Sequence, residues 1–130
     1  MLIFFNTDPD VAAAGLLKEK IARSLPETEL EFHGSTKRLA ERLRRRTHDI
    51  DMLLVVISDI SGLSELEQIR GLLKDLCLVL VVSHGVGQQT ARLYRLYPRS
   101  VLLLGEETGW IVDFVRNKMQ HLKKGREENV

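Results

Sequence analysis

The chain has 130 residues, 44% of them hydrophobic and 28% charged, and a net charge of +1. This is one domain's worth of sequence, with enough apolar content to build a core without staples, so a disordered chain is excluded. Near-neutral charge excludes bulk attraction to nucleic acid or anionic membrane, and the single cysteine, Cys77, excludes an internal disulfide or a cysteine-based zinc cage.

Leu2–Phe5 is an apolar run that reads as a first strand. Asp8 follows as the expected N-cap of a first helix, with Pro9 at the first helical position. Ala14, Leu17, Ile21 and Leu25 form its apolar face, and Pro26 ends it. Glu29–Phe32 alternates polar and apolar residues, as an edge strand with one wet face does. Ser35 caps a second helix with a thin apolar stripe of Leu39, Ala40 and Leu43. Met52–Ile57 is continuously apolar, the pattern of a strand buried on both faces. A third helix starts near Ser61 and turns Leu63, Leu66, Ile69 and Leu73 inward. Leu76–Val82 is a fourth strand. A fourth helix spans Gly87 to Tyr97, where Pro98 stops it. Val101–Leu104 is a fifth strand, and a fifth helix begins near Thr108 with Ile111, Phe114, Val115, Lys118 and Leu122 on adjoining faces. Residues 1–124 form one expected domain, and 125–130 a polar, frayed tail.

Strands joined by helical crossovers pair in parallel, and right-handed crossovers place helices on both sides of the sheet. The expected fold is α/β: a doubly wound, flavodoxin-like three-layer sandwich of five βα units, strand order 2-1-3-4-5. The N-terminus has no basic region or cleavage site, and the longest apolar run, Leu76–Val82, is far short of the ~20 residues a spanning helix needs. The expectation is a cytoplasmic protein without a membrane contact.

Ligands of such sheets bind at the carboxyl ends of the strands. Asn6, Thr7, Asp8, Ser58, Asp59, Ser83, His84, Gly105, Glu106 and Glu107 fall there. The loop after the first strand carries no glycine and two carboxylates, which repel phosphate, so dinucleotide, flavin and nucleoside triphosphate binding is excluded at that loop.

That loop resembles one in the receiver domains of response regulators, the CheY-like phosphoacceptor modules of two-component signal transduction. The likeness runs from Leu2-Ile3-Phe4-Phe5-Asn6-Thr7-Asp8-Pro9, through Asp49-Ile50-Asp51 before the third strand and Gly62–Arg70, to Val81-Val82-Ser83-His84-Gly85 and the last helix. It implies the same fold. Receivers hold Mg²⁺ with an acidic pair after the first strand, accept a phosphoryl group on an Asp ending the third, and contact it with a Lys after the fifth. The acidic pair matches Asn6 and Thr7 here. The phosphoacceptor position falls on Val56 counted from Asp51, or on Leu54 counted from Gly62, and the Lys position on Leu104 or Gly105. Ser83 matches the switch hydroxyl. Asp59 lies beyond the strand tip.

A metal needs clustered oxygen ligands, and a phosphoryl group needs a metal or Lys to offset its charge. The departures therefore imply a pseudo-receiver: a regulatory module with no catalytic residue and no cofactor, acting through protein contacts. In receivers the face of the fourth helix, fifth strand and fifth helix carries dimer and partner contacts. Tyr94, Tyr97 and Trp110 fall on it here, either as interface anchors or as packing between helix and sheet.

Two other readings stay open. Asp8, Asp59, Ser83 and Glu106 could serve a small Mg²⁺-dependent phosphotransfer or hydrolytic protein, against which Asp8 and Asp59 are ordinary helix caps. Ser83, His84 and Asp59 have the composition of a hydrolase triad but no G-x-S-x-G elbow. Lys37, Arg38, Arg42, Arg44, Arg45 and Arg46 against Glu41 make a basic second helix, a nucleic-acid or acidic-partner patch or simply a solvated face. No aromatic side chain interleaves it to stack on bases.

Overall fold

The computed structural model describes residues 1–8, 11–105 and 107–128. Five parallel strands form one sheet in the order β2-β1-β3-β4-β5. They are β1 (Leu2–Asn6), β2 (Leu30–His33), β3 (Met52–Ile57), β4 (Leu78–Val82) and β5 (Ser100–Leu103). Among the described residues six α-helices surround it: α1 (Ala12–Ser24), α2 (Thr36–Arg44), α3 (Ile60–Gln68), α4 (His84–Gly87), α5 (Thr90–Tyr94) and α6 (Gly109–Glu128). The expected three-layer sandwich and strand order are present.

The period-two alternation of strand side chains divides the interior into two cores. Ile3, Phe5, Leu53, Val55, Leu78 and Leu80 pack against Leu39, Leu43, Leu63, Leu66, Val86, Leu93 and Leu96 of α2 to α5 and the segments after α3 and α5. Leu2, Phe4, Met52, Leu54, Val79 and Val81 pack against Ala14, Leu17 and Ile21 of α1 and Ile111, Val115 and Met119 of α6. Every residue of β3 and β4 is buried, as their unbroken apolar sequences require. β2 has one bonded neighbour and no fully buried residue.

Several boundaries differ from the sequence reading. α1 is capped by Val11, not Asp8, because Asp8 turns the chain first. The Asp8 amide donates to Asn6 Oδ1 at 3.1 Å and its carbonyl accepts from the Val11 amide. Pro9, expected at the first helical position, lies outside the described residues. Of the fourth helix expected from Gly87 to Tyr97 only Thr90–Tyr94 (α5) is α-helical, and a further short helix, α4, precedes it and ends at Gly87. Glycines 85 and 87 weaken a continuous helix, and Ser83 starts α4 early by accepting from the Val86 amide at 3.4 Å. α5 ends at Tyr94, before Tyr97 takes a left-handed φ of 61° ahead of Pro98. α6 continues past Lys124 to Glu128, through the first part of the expected polar tail. The third helix, expected to run through Leu73, ends at Gln68 and is followed by a short 3₁₀ turn at Arg70–Leu72, and another 3₁₀ turn at Glu27–Glu29 takes the first residue of the expected second strand.

Candidate functional site

The carboxyl rim is organised by Thr7. β1 and β3 run side by side with Asn6 opposite Val56, so the residue after Asn6 reaches the end of β3. The Thr7 amide and Thr7 Oγ1 each donate to the Val56 carbonyl at 3.0 Å. The same side chain abuts Gly62 on α3, where a Cβ would lie 2.5 Å from Thr7 Oγ1 and 2.7 Å from its Cβ. Thr7 thus packs between the end of β3 and the start of α3 at the switch point of the sheet. Val56 and Leu54, the two residues on which the expected phosphoacceptor position falls, are both fully buried apolar side chains.

The other rim residues are occupied locally. Asp59 caps α3, its Oδ1 accepting from the Gly62 amide at 2.8 Å. Ser83 Oγ donates to the Ser58 carbonyl at 3.0 Å and caps α4. The Ser58 hydroxyl is buried and has no hydrogen-bond partner among the described residues. His84 is exposed, with Nε2 3.4 Å from Gln88 Nε2. Ser83, His84 and Asp59 are therefore engaged with three different partners rather than with one another. Glu106 lies outside the described residues. No group of three His, Cys, Asp or Glu side chains among the described residues is placed to hold a metal ion.

The basic patch needs one correction. Lys37, Arg38, Arg44 and Arg45 are exposed, and Arg46 is exposed beside Asp49. Arg42 is not available: it is only 8% exposed. Its Nε donates to both Glu31 carboxylate oxygens at 2.9 and 3.2 Å, and Nη2 reaches Asp49 at 3.3 Å. Burial would raise the Asp49 carboxyl. The Arg42 hydrogen bond, a bond to its own backbone and the charges of Arg42 and Arg46 outweigh it and hold the group below the usual range.

Tyr94 on α5 is 61% and Trp110 on α6 48% exposed, with Tyr97 after α5 and Leu103 on β5 as open. The three aromatics do not fill the interior layer. Sequence reading missed Leu103, because it alternates correctly with Leu102 and Leu104 but stands beyond the cover of the helices. It also missed a groove of about 550 Å³ between α1 and β2, lined by Phe4, Asn6, Gly15, Lys18, Glu19, Ala22, Phe32, His33 and Gly34. Its one visible signal was Gly15 inside a helical pattern.

No family model matches the sequence, and no curated protein matches it. Solved structures do. A CheY-like response regulator receiver domain protein from Methanospirillum hungatei JF-1 superposes with a TM-score of 0.67 at 13% identity, covering 95% of this chain and 97% of that one. The REC domain of AraT, a response regulator from Geobacillus stearothermophilus, gives 0.61 at 19% identity over 99% and 98%. The Francisella novicida lysine decarboxylase LdcF gives 0.63 at 14% identity over 93% of this chain, which spans 17% of that protein. At such identities the likeness is one of fold: this chain has the CheY-like receiver fold over nearly its whole length.

Proposed function

We propose that the chain is a pseudo-receiver: a signalling or regulatory module of receiver type that works without phosphorylation and performs no chemistry. The observation that carries this reading is the packing of Thr7 against Val56 and Gly62 at the switch point. Val56 and Leu54, on which the expected carboxylate position falls, are buried and apolar, and Thr7 is bonded to the Val56 carbonyl and pressed against Gly62. Asp59 is the nearest carboxylate that follows β3, and it is committed to an amide at the start of α3. Fold alone does not fix function, so the reading rests on these residues.

Information then passes by contact. Tyr94, Tyr97, Leu103 and Trp110 support this, since they expose large apolar surface of the kind that anchors protein interfaces. The partner is another protein or a second copy of this chain. No helix among the described residues is long and apolar enough to cross a membrane, and the free thiol of Cys77 fits a reducing, cytoplasmic setting. Burial raises the Cys77 pKa above its ordinary value, which keeps the thiol unreactive. The nucleic-acid reading weakens once Arg42 is withdrawn from the patch.

Amide NMR spectra recorded with Mg²⁺ and then beryllofluoride, which imitates an acyl phosphate, test this reading. The amides of Thr7, Asp59 and Ser83 are expected to stay in place. Rim shifts at low Mg²⁺ followed by a response of α4, α5 and α6 would show a working phospho-switch and sink the proposal.

A further inference from the structure

We propose that the groove between α1 and β2 is a binding site for a small planar aromatic acid. It lies apart from the Thr7 contacts at the β1–β3 switch point, and its size falls within the range of small-molecule sites. Three independent features define it.

The first is the aromatic surface. Phe4 and Phe32 meet at 60° with centroids 5.8 Å apart, forming a corner of two rings. Phe4 is buried but Phe32 is 39% exposed, so part of the corner faces the groove uncovered. Such a corner offers a planar ligand an offset-stacked or edge-to-face partner.

The second feature is Gly15. A glycine inside a helix costs stability relative to alanine because it loses more backbone freedom on folding. Close packing explains Gly62, where a Cβ would collide with Thr7. It does not explain Gly15: beyond its chain neighbours and its own helix backbone, no atom lies within 4 Å of the place a Cβ would take, and its φ is not positive. What Gly15 does is keep the wall of the groove empty. Gly34, on the opposite wall, also has nothing within 4 Å.

The third feature is charge. Lys18 Nζ rests 4.9 Å from the Phe32 ring centroid, and among the described residues no carboxylate pairs with it. Its flexible stem lets the ammonium leave the ring face and meet an anion when a ligand ring takes that face. Glu19 also lines the groove, so a single negative charge directed at Lys18 suits the site better than a polyanion.

The probe for the test is naphthalene-2-sulfonate, titrated into the isotope-labelled full chain and followed by amide shifts. Saturable shifts confined to α1 and β2 around Gly15, Lys18, Phe32 and Gly34 are expected. Gly15→Leu should remain folded, melt no lower than the parent and bind at least tenfold more weakly. Phe32→Ala gives a second reading at an exposed edge and should also weaken binding at least tenfold. Lys18→Gln should weaken the sulfonate severalfold while leaving the neutral analogue 2-naphthol unaffected. Absent shifts, shifts centred on Tyr94 and Trp110, or undiminished binding by Gly15→Leu or Phe32→Ala would overturn the site. Equal sulfonate affinity in Lys18→Gln would overturn its preference for an acid.

Discussion

At position 62 the fold accepts nothing larger than a hydrogen, because the Thr7 side chain occupies the space a Cβ would need. Thr7 cannot swing away cheaply: its own Cβ is only 2.7 Å from that point, and its hydroxyl is bonded to the Val56 carbonyl. Gly62→Ala therefore forces backbone to move. It should destabilise the protein by about 1–3 kcal/mol, the usual range for overpacking, measured as a lower urea midpoint. Arg42 shows the opposite limit on reading single residues. In sequence it is one more positive charge in a basic run. In the structure its guanidinium is spent on Glu31 of β2 and Asp49 of the following loop, which the chain brings beside it only after folding.

α5 is too short to persist alone, and its start has no side-chain cap. Besides Leu93 and the following Leu96 in the core, it is fastened by Arg92, which bonds Glu67 on α3, Nε to Oε2 at 3.3 Å, and Ser64 Oγ at 3.1 Å. The Arg92 guanidinium holds the Glu67 carboxyl below its ordinary value, and partial burial opposes this. A carboxyl depressed on folding contributes stability above its ordinary value, and that contribution fades as pH falls through the folded one. Glu67→Gln should thus be less stable than the parent at pH 7. The gap should close as pH drops below the ordinary glutamate value of 4.5. Chemical denaturation across pH reads this directly, and a constant gap would mean the ion pair contributes nothing. The break between α4 and α5 also belongs to this scale. The expected helix began at Gly87, so the pattern did not show that the Ser83 cap starts a separate short helix at His84.

Across the whole molecule the sheet is graded from centre to edge. β3 and β4 are buried throughout, whereas β2 and β5 hold no fully buried residue. Native-state hydrogen exchange should follow that grading, with β1, β3 and β4 amides exchanging only on global unfolding and β2 and β5 amides opening by smaller fluctuations. Protection in β2 equal to that in β3 would mean the edge is covered in solution. The two edge strands also take part in the proposed contacts, β5 with its exposed Leu103 and β2 with its ring-lined groove.

Strand and helix order, the burial of β3 and β4, the exposed edge of β2 and the caps at Ser35 and Asp59 were legible in the sequence, because periodicity and capping are local properties. The strand order was the default for five doubly wound βα units, and the sheet has it. The state of the rim needed the tertiary structure. The resemblance put an apolar residue, Val56 or Leu54, where receivers have a carboxylate, but only folding brings Thr7, Val56 and Gly62 together from three separate segments. The burial of Arg42, the exposure of Tyr94, Leu103 and Trp110, and the groove behind Gly15 are likewise products of packing. Each depends on what the neighbouring elements cover or leave open, and no single segment encodes that.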